Sequence, residues 1–148
     1  MTVTELIPVL QTAIGPVVLI SGVGLLILSL TNRLGRVVDR GRYLANELRD
    51  AHDSKHPSII IQLRSISHRA NLLRQAIVFA VLCVLFAAVL IITIFLTAAL
   101  QLETTWLIGG SFICALGSLV WSLIVFLREL NLALIAFRLE IGEPSSKE

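Results

Sequence analysis

Charge is what this chain has least of. Only 15% of its 148 residues are Asp, Glu, Lys or Arg and 56% are hydrophobic, whereas a soluble domain carries about 25% charge. The deficit comes from long blocks with no charge at all, a pattern that excludes an ordinary soluble domain and points to an integral membrane protein. Cysteine is scarce as well. Cys83 and Cys114 both lie inside apolar blocks, where a thiol behaves as a small hydrophobe, so neither a disulfide framework nor a zinc site is expected. The first residues, Met1-Thr2-Val3-Thr4-Glu5, lack basic side chains, and no small-residue cleavage site follows. No cleaved signal peptide is therefore expected, and the first apolar block stays in the mature chain. Also missing are a Ser-His-Asp or Cys-His set, a glycine-rich phosphate loop and paired intramembrane carboxylates. Neither an enzyme nor a bound cofactor is expected. The central part of each block holds no ionisable group except the cysteines, which argues against a proton-coupled transporter.

What is present is three uncharged blocks: Leu6 to Asn32, Ala76 to Leu100 and Thr104 to Leu127. Pro8 and Pro16 interrupt the first, so its regular helix is expected to begin near Ala13. The second, at 25 residues, spans roughly 37 Å as a helix, enough to cross a ~30 Å hydrocarbon core with some tilt. The third opens on Trp106, an interfacial anchor. The fold predicted is all-α and single-domain, with transmembrane helices over about 13–32, 76–100 and 104–127.

The basic residues set the orientation. Nine of the twelve Lys and Arg fall between the first two spans, and Arg128, Arg138 and Lys147 follow the third. The N-terminal tail and the Gln101–Thr105 connection hold none. By the positive-inside rule the N-terminus is expected outside, and the C-terminus and charged segment in the cytoplasm.

The segment 33–75 has a helical pattern of its own. Leu34, Val37, Gly41, Leu44, Leu48 and Ala51 recur at steps of three and four, and the series extends backward through Leu30, Ile27, Val23 and Ile20. His52-Asp53-Ser54-Lys55-His56-Pro57 breaks it, with Pro57 suited to the first turn of a new helix. Ile59, Leu63, Ile66, Ala70, Leu73 and Ile77 then repeat the spacing. An antiparallel, coiled-coil-like helical hairpin in the cytoplasm is the expectation. The polar tail 143–148 is expected to be disordered.

The run Thr31-Asn32-Arg33-Leu34-Gly35-Arg36-Val37-Val38-Asp39-Arg40, after Ile20-Ser21-Gly22-Val23-Gly24-Leu25-Leu26, resembles an uncharacterised family of small bacterial three-span membrane proteins. The resemblance covers roughly Ile7 to Leu127. It implies the topology and, because that family is a domain of unknown function, no catalytic or binding residues.

Three groups of residues are candidates for function. Opposite its apolar seam the first helix carries Gln11, Gly15, Val18, Gly22, Leu25, Ser29, Asn32 and Arg36, a largely small or polar stripe. It suits close helix packing or, in a homo-oligomer, the lining of a water-filled path. The third block has a small face of Gly110, Ser111, Cys114, Ala115, Gly117, Ser118 and Ser122, a helix-packing surface. Arg33, Arg36, Asp39, Arg40, Arg42, Arg69 and Arg74 gather where the apolar blocks end. They suit anionic lipid headgroups, with Asp39 expected close to Arg69 across the hairpin. Acidic residues interspersed among them argue against nucleic acid. His52 and His56, beside Asp50 and Asp53, have a metal-compatible spacing but fall in the predicted turn, so no metal site is expected. Two functions follow as expectations. One is a pore lined by the first helix with a basic cytoplasmic mouth. The alternative is a non-catalytic scaffold or accessory subunit whose hairpin docks a cytoplasmic or membrane partner.

Overall fold

A computed structural model describes residues 3–50, 56–100 and 105–141. Every described residue is helical: α1 covers Val3–Asp50, α2 His56–Leu100 and α3 Thr105–Ile141. The expected all-α fold with three long apolar helices is what forms. Most of the expected break at His52–Pro57, the 101–104 connection and the 143–148 tail lie outside the described residues.

The helices outrun the uncharged blocks. At 48 residues, α1 extends for roughly 72 Å. It begins at Val3, ahead of the Ala13 start expected from sequence, and keeps Pro8 and Pro16 inside. Each proline leaves the carbonyl four residues before it without its helical donor, a loss that helices in an apolar setting tolerate. Separately, Thr12 Oγ1 donates to the Pro8 carbonyl at 2.9 Å. Ser21 and Thr93 make the same four-residue back-bond, to Val17 and Val89, so these hydroxyls need no water. Pro57 stands in the first turn of α2, as anticipated, and Arg49 occupies the last turn of α1, where a cation favours the helix dipole.

Each helix contains a stretch long and apolar enough to cross a membrane, within Ile7–Arg49, Ile59–Leu100 and Thr105–Ile135. Only 17%, 22% and 17% of the respective apolar windows is buried inside the chain. Most of the apolar surface therefore faces outward, which water would penalise and lipid would not. This is a membrane protein.

The chain divides into two compact units, Met1–Ser29 with Ile77–Ser122, and Leu30–Ala76 with Leu123–Glu148. The first has its core at Val23, Ala80, Cys83 and Ala115, with Leu19, Ile27, Val84, Phe86 and Leu119 packed around it. Small side chains from α2 and α3 meet there, so the helix backbones approach closely without needing a hydrophobic driving force between them. Phe79 and Trp121 add a tilted ring contact, centroids 6.0 Å apart. The second unit is a helical hairpin joined by the end of α3. Its buried apolar residues include Leu30, Leu44, Ile59, Leu73 and Ala76, most of them on the seams read from the spacing. The two arms meet at Gly41, where a Cβ would stand in ordinary contact, 3.4 Å from Ile66 Cγ2.

Candidate functional site

The buried charge of the second unit comes from α3. On α3 the inward positions step by four and three from Ser111 through Ala115, Ser118, Ser122 and Val125 to Glu129. Glu129 is 0% exposed. Isolated, a carboxylate there would be prohibitively desolvated, and two arginines answer it. Arg33 Nη2 on α1 donates to Glu129 Oε2 at 3.0 Å. Arg69 Nη2 on α2 donates to Oε1 at 3.1 Å. Each carboxylate oxygen thus takes one guanidinium, and one residue of α3 ties together both arms of the hairpin.

The arginines are held by more than charge. The Arg33 guanidinium lies 5.2 Å from the centroid of the Phe126 ring. Phe126 precedes Glu129 by three positions, so a single turn of α3 offers both a carboxylate and a π face to the same cation. Both arginine side chains are 27% exposed. Their charge is only partly stripped of water, a milder desolvation than Glu129 undergoes. Arg69 retains a buried Nε with no hydrogen-bond partner.

Arg33, Arg36, Val37, Arg40, Ile66, Arg69 and Glu129 together line a cleft of about 240 Å³. Arg36 and Arg40 are exposed, and the Arg40 guanidinium rests 5.6 Å from the Tyr43 ring centroid on its own helix. Four of the arginines singled out from sequence therefore converge on one cleft. Arg74 does not line it, and the expected Asp39–Arg69 clamp is not made. Arg69 turns to Glu129, while Asp39 is exposed. Glu129 itself escaped the sequence reading because the third block was ended at Leu127. The signal was there: the step of three and four along α3 continues past that point and lands on an acid.

The remaining candidates separate cleanly. Along α1, Gln11, Gly15, Gly22, Ser29, Asn32 and Arg36 are all exposed, and a Cβ at Gly15 or Gly22 would meet nothing within 4 Å. The stripe is thus not packed against the chain's own helices. The small face of α3 splits: Ser122 is buried and Ser111 and Ser118 are half-buried, but Gly110, Cys114 and Gly117 are exposed. An apolar groove of about 490 Å³ in the first unit, beside Gln11 and Val18, has no convergent polar groups. His52 and Asp53 lie outside the described residues.

Residues 13–139 match the family described as "Protein of unknown function (DUF2721)". The chain belongs to the DUF2721 family. No curated protein and no solved structure matches it. The matched stretch of this DUF2721 member takes in Arg33, Arg36, Arg40, Arg69 and Glu129, so the whole cleft lies within the family domain.

Proposed function

We propose that the chain works as a non-catalytic homo-oligomer in a bacterial inner membrane, with its N-terminus outside and its hairpin and C-terminus in the cytoplasm. In this reading the α1 stripe lines an ion-conducting pore whose basic mouth includes Arg36 and Arg40. The positive-inside rule supports the orientation. The observation that carries the pore is the uncovered stripe: Gln11, Gly22, Ser29 and Arg36 stay exposed while the opposite seam of α1 is buried at Val23, Leu30 and Leu44 and half-buried between them. Polar groups at membrane depth favour bundle interiors or cavities. One subunit of three helices is too small to enclose a path, so several copies must supply it.

The test is subunit number and ion flux of the purified protein in lipid. A closed ring with the stripe on its axis is expected. Ser29→Trp should lower flux at least about tenfold by obstructing the path, and Arg36→Glu should shift its charge selectivity. Unchanged flux in both reconstituted variants, or a monomeric wild type, would sink the pore.

A second reading, a scaffold that docks a partner through the hairpin, is favoured by the exposed apolar side chains Tyr43, Ile60 and Ile61. Leu44 is only 4% exposed, so an aspartate there would break the hairpin itself. Tyr43→Asp and Ile61→Asp are the informative variants. They should abolish stoichiometric recovery of a partner while leaving the helix content intact. If wild type recovers no stoichiometric partner from native membranes, the scaffold reading loses its support.

A further inference from the structure

The cleft around Glu129 holds more positive charge than its one acid can answer. Four arginines line it against a single carboxylate, and both oxygens of that carboxylate are already engaged by Arg33 and Arg69. Arg36 and Arg40 have no ion pair among the described residues, and Asp39, the acid between them, is exposed and outside the lining. Like charges gathered in a concave site raise the local concentration of anions.

We propose that this cleft binds a phosphate-class oxyanion, supplied either by a phospholipid headgroup or by a free phosphate-bearing solute. Guanidinium groups present planar forks that match the oxygens of phosphate, which a compact halide cannot exploit. The donors are arranged in advance. Glu129 holds Arg33 and Arg69 at 3.0 and 3.1 Å, and Phe126 backs the Arg33 guanidinium. Glu129 is therefore a positioning residue that keeps two mutually repelling cations at one site.

Size and lining narrow the ligand. At about 240 Å³ the cleft falls just below the roughly 300–1,000 Å³ of pockets that enclose drug-sized molecules, so it suits a phosphate group rather than a whole nucleotide. Val37 and Ile66 form its apolar part, a surface for the first carbons of a phosphate ester. In sequence, Arg33 directly follows the uncharged block ending at Asn32, and Arg69 shortly precedes the one beginning at Ala76. Such positions favour the headgroup level of a bilayer. The inference goes beyond the pore and does not depend on conduction, since its readout is binding and not flux.

The experiment uses the full chain in micelles of a neutral maltoside detergent, which carries no phosphate, with the thermal midpoint as readout. Inorganic phosphate is compared with chloride at matched ionic strength, and a second set of micelles is doped with phosphatidic acid. A rise in midpoint with inorganic phosphate assigns a free solute; a rise only with phosphatidic acid assigns the headgroup. Either supports the site if Arg36→Ala/Arg40→Ala weakens the apparent affinity at least about tenfold, the loss expected from charge-assisted bonds. Both side chains are exposed and outside the Glu129 link, so the fold should survive. Arg42→Ala/Arg49→Ala, exposed on the same helix but outside the cleft, should leave binding unchanged. The proposal is overturned if chloride acts as well as phosphate, if neither source shifts the midpoint, or if the two double variants behave alike.

Discussion

Glu129→Ala should destabilise the protein by about 3–5 kcal/mol, the cost of removing one partner from a buried ion-paired group. The carboxylate is 0% exposed and accepts from Arg33 and Arg69. Without it two guanidiniums face each other with no counter-charge. Because each arginine side chain is 27% exposed, water relieves part of the repulsion, which places the effect toward the lower end of that range. Glu129→Gln keeps the size and one acceptor and should fall between wild type and alanine. The couplings make the test sharper than the single variant. In the Glu129→Ala background, Arg33→Ala should cost little further or even restore stability, because the carboxylate it paired with is gone. Replacing all three by apolar residues of similar volume should be close to neutral. Thermal midpoints of the purified chain in lipid discs, with wild type alongside, are the measurement. An alanine variant indistinguishable from wild type would mean that the Arg33–Glu129–Arg69 link does not hold the hairpin to α3.

The second large effect is expected at Ala80. It is fully buried in the core with Val23, Cys83 and Ala115. Ala80→Leu adds three carbons where there is no room, at about 1–3 kcal/mol for overpacking, and Ala80→Phe should cost more. Small residues in this core set how closely the helices approach, so the larger side chain acts by forcing backbones apart and not by any change of polarity. Gly22→Leu adds a still larger increment at an exposed position of α1, where a Cβ meets nothing within 4 Å. It should leave the single chain as stable as before, or up to about 1 kcal/mol more so, because a helical glycine has been replaced. The two variants are compared by thermal midpoint, with subunit number measured in parallel. A tolerated Ala80→Phe would contradict the core. A Gly22→Leu protein that keeps its helix content but loses its assembly would bear directly on the proposed oligomer.

The same contrast shows which parts of the site could be read in advance. Leu30, Leu44, Ile59 and Leu73 were placed on inward seams by their spacing and are buried. The start of α1 was misplaced near Ala13 because proline was weighed as it acts in a water-exposed helix. Helices in an apolar setting tolerate an internal proline, and α1 begins at Val3. Arg33, Arg36, Arg40 and Arg69 stood out as a cluster, but the acid assigned to them was Asp39, chosen by register across the hairpin. Glu129 on α3 takes Arg69 instead.

Hydropathy and the alternation of three and four determine, from sequence alone, that there are three helices, that they are apolar enough for a membrane, and which faces of α1 and α2 turn inward. Those properties are local or periodic, set by 3.6 residues per turn and by the cost of exposing apolar surface. Only the tertiary structure decided that Glu129 receives Arg33 and Arg69, that four arginines share one cleft, and that the Gln11–Arg36 stripe is left uncovered. Ion pairing depends on distances between side chains on different helices, and the register between α3 and the hairpin is written in no single helix. A buried carboxylate with two arginines on it is a property of three segments at once.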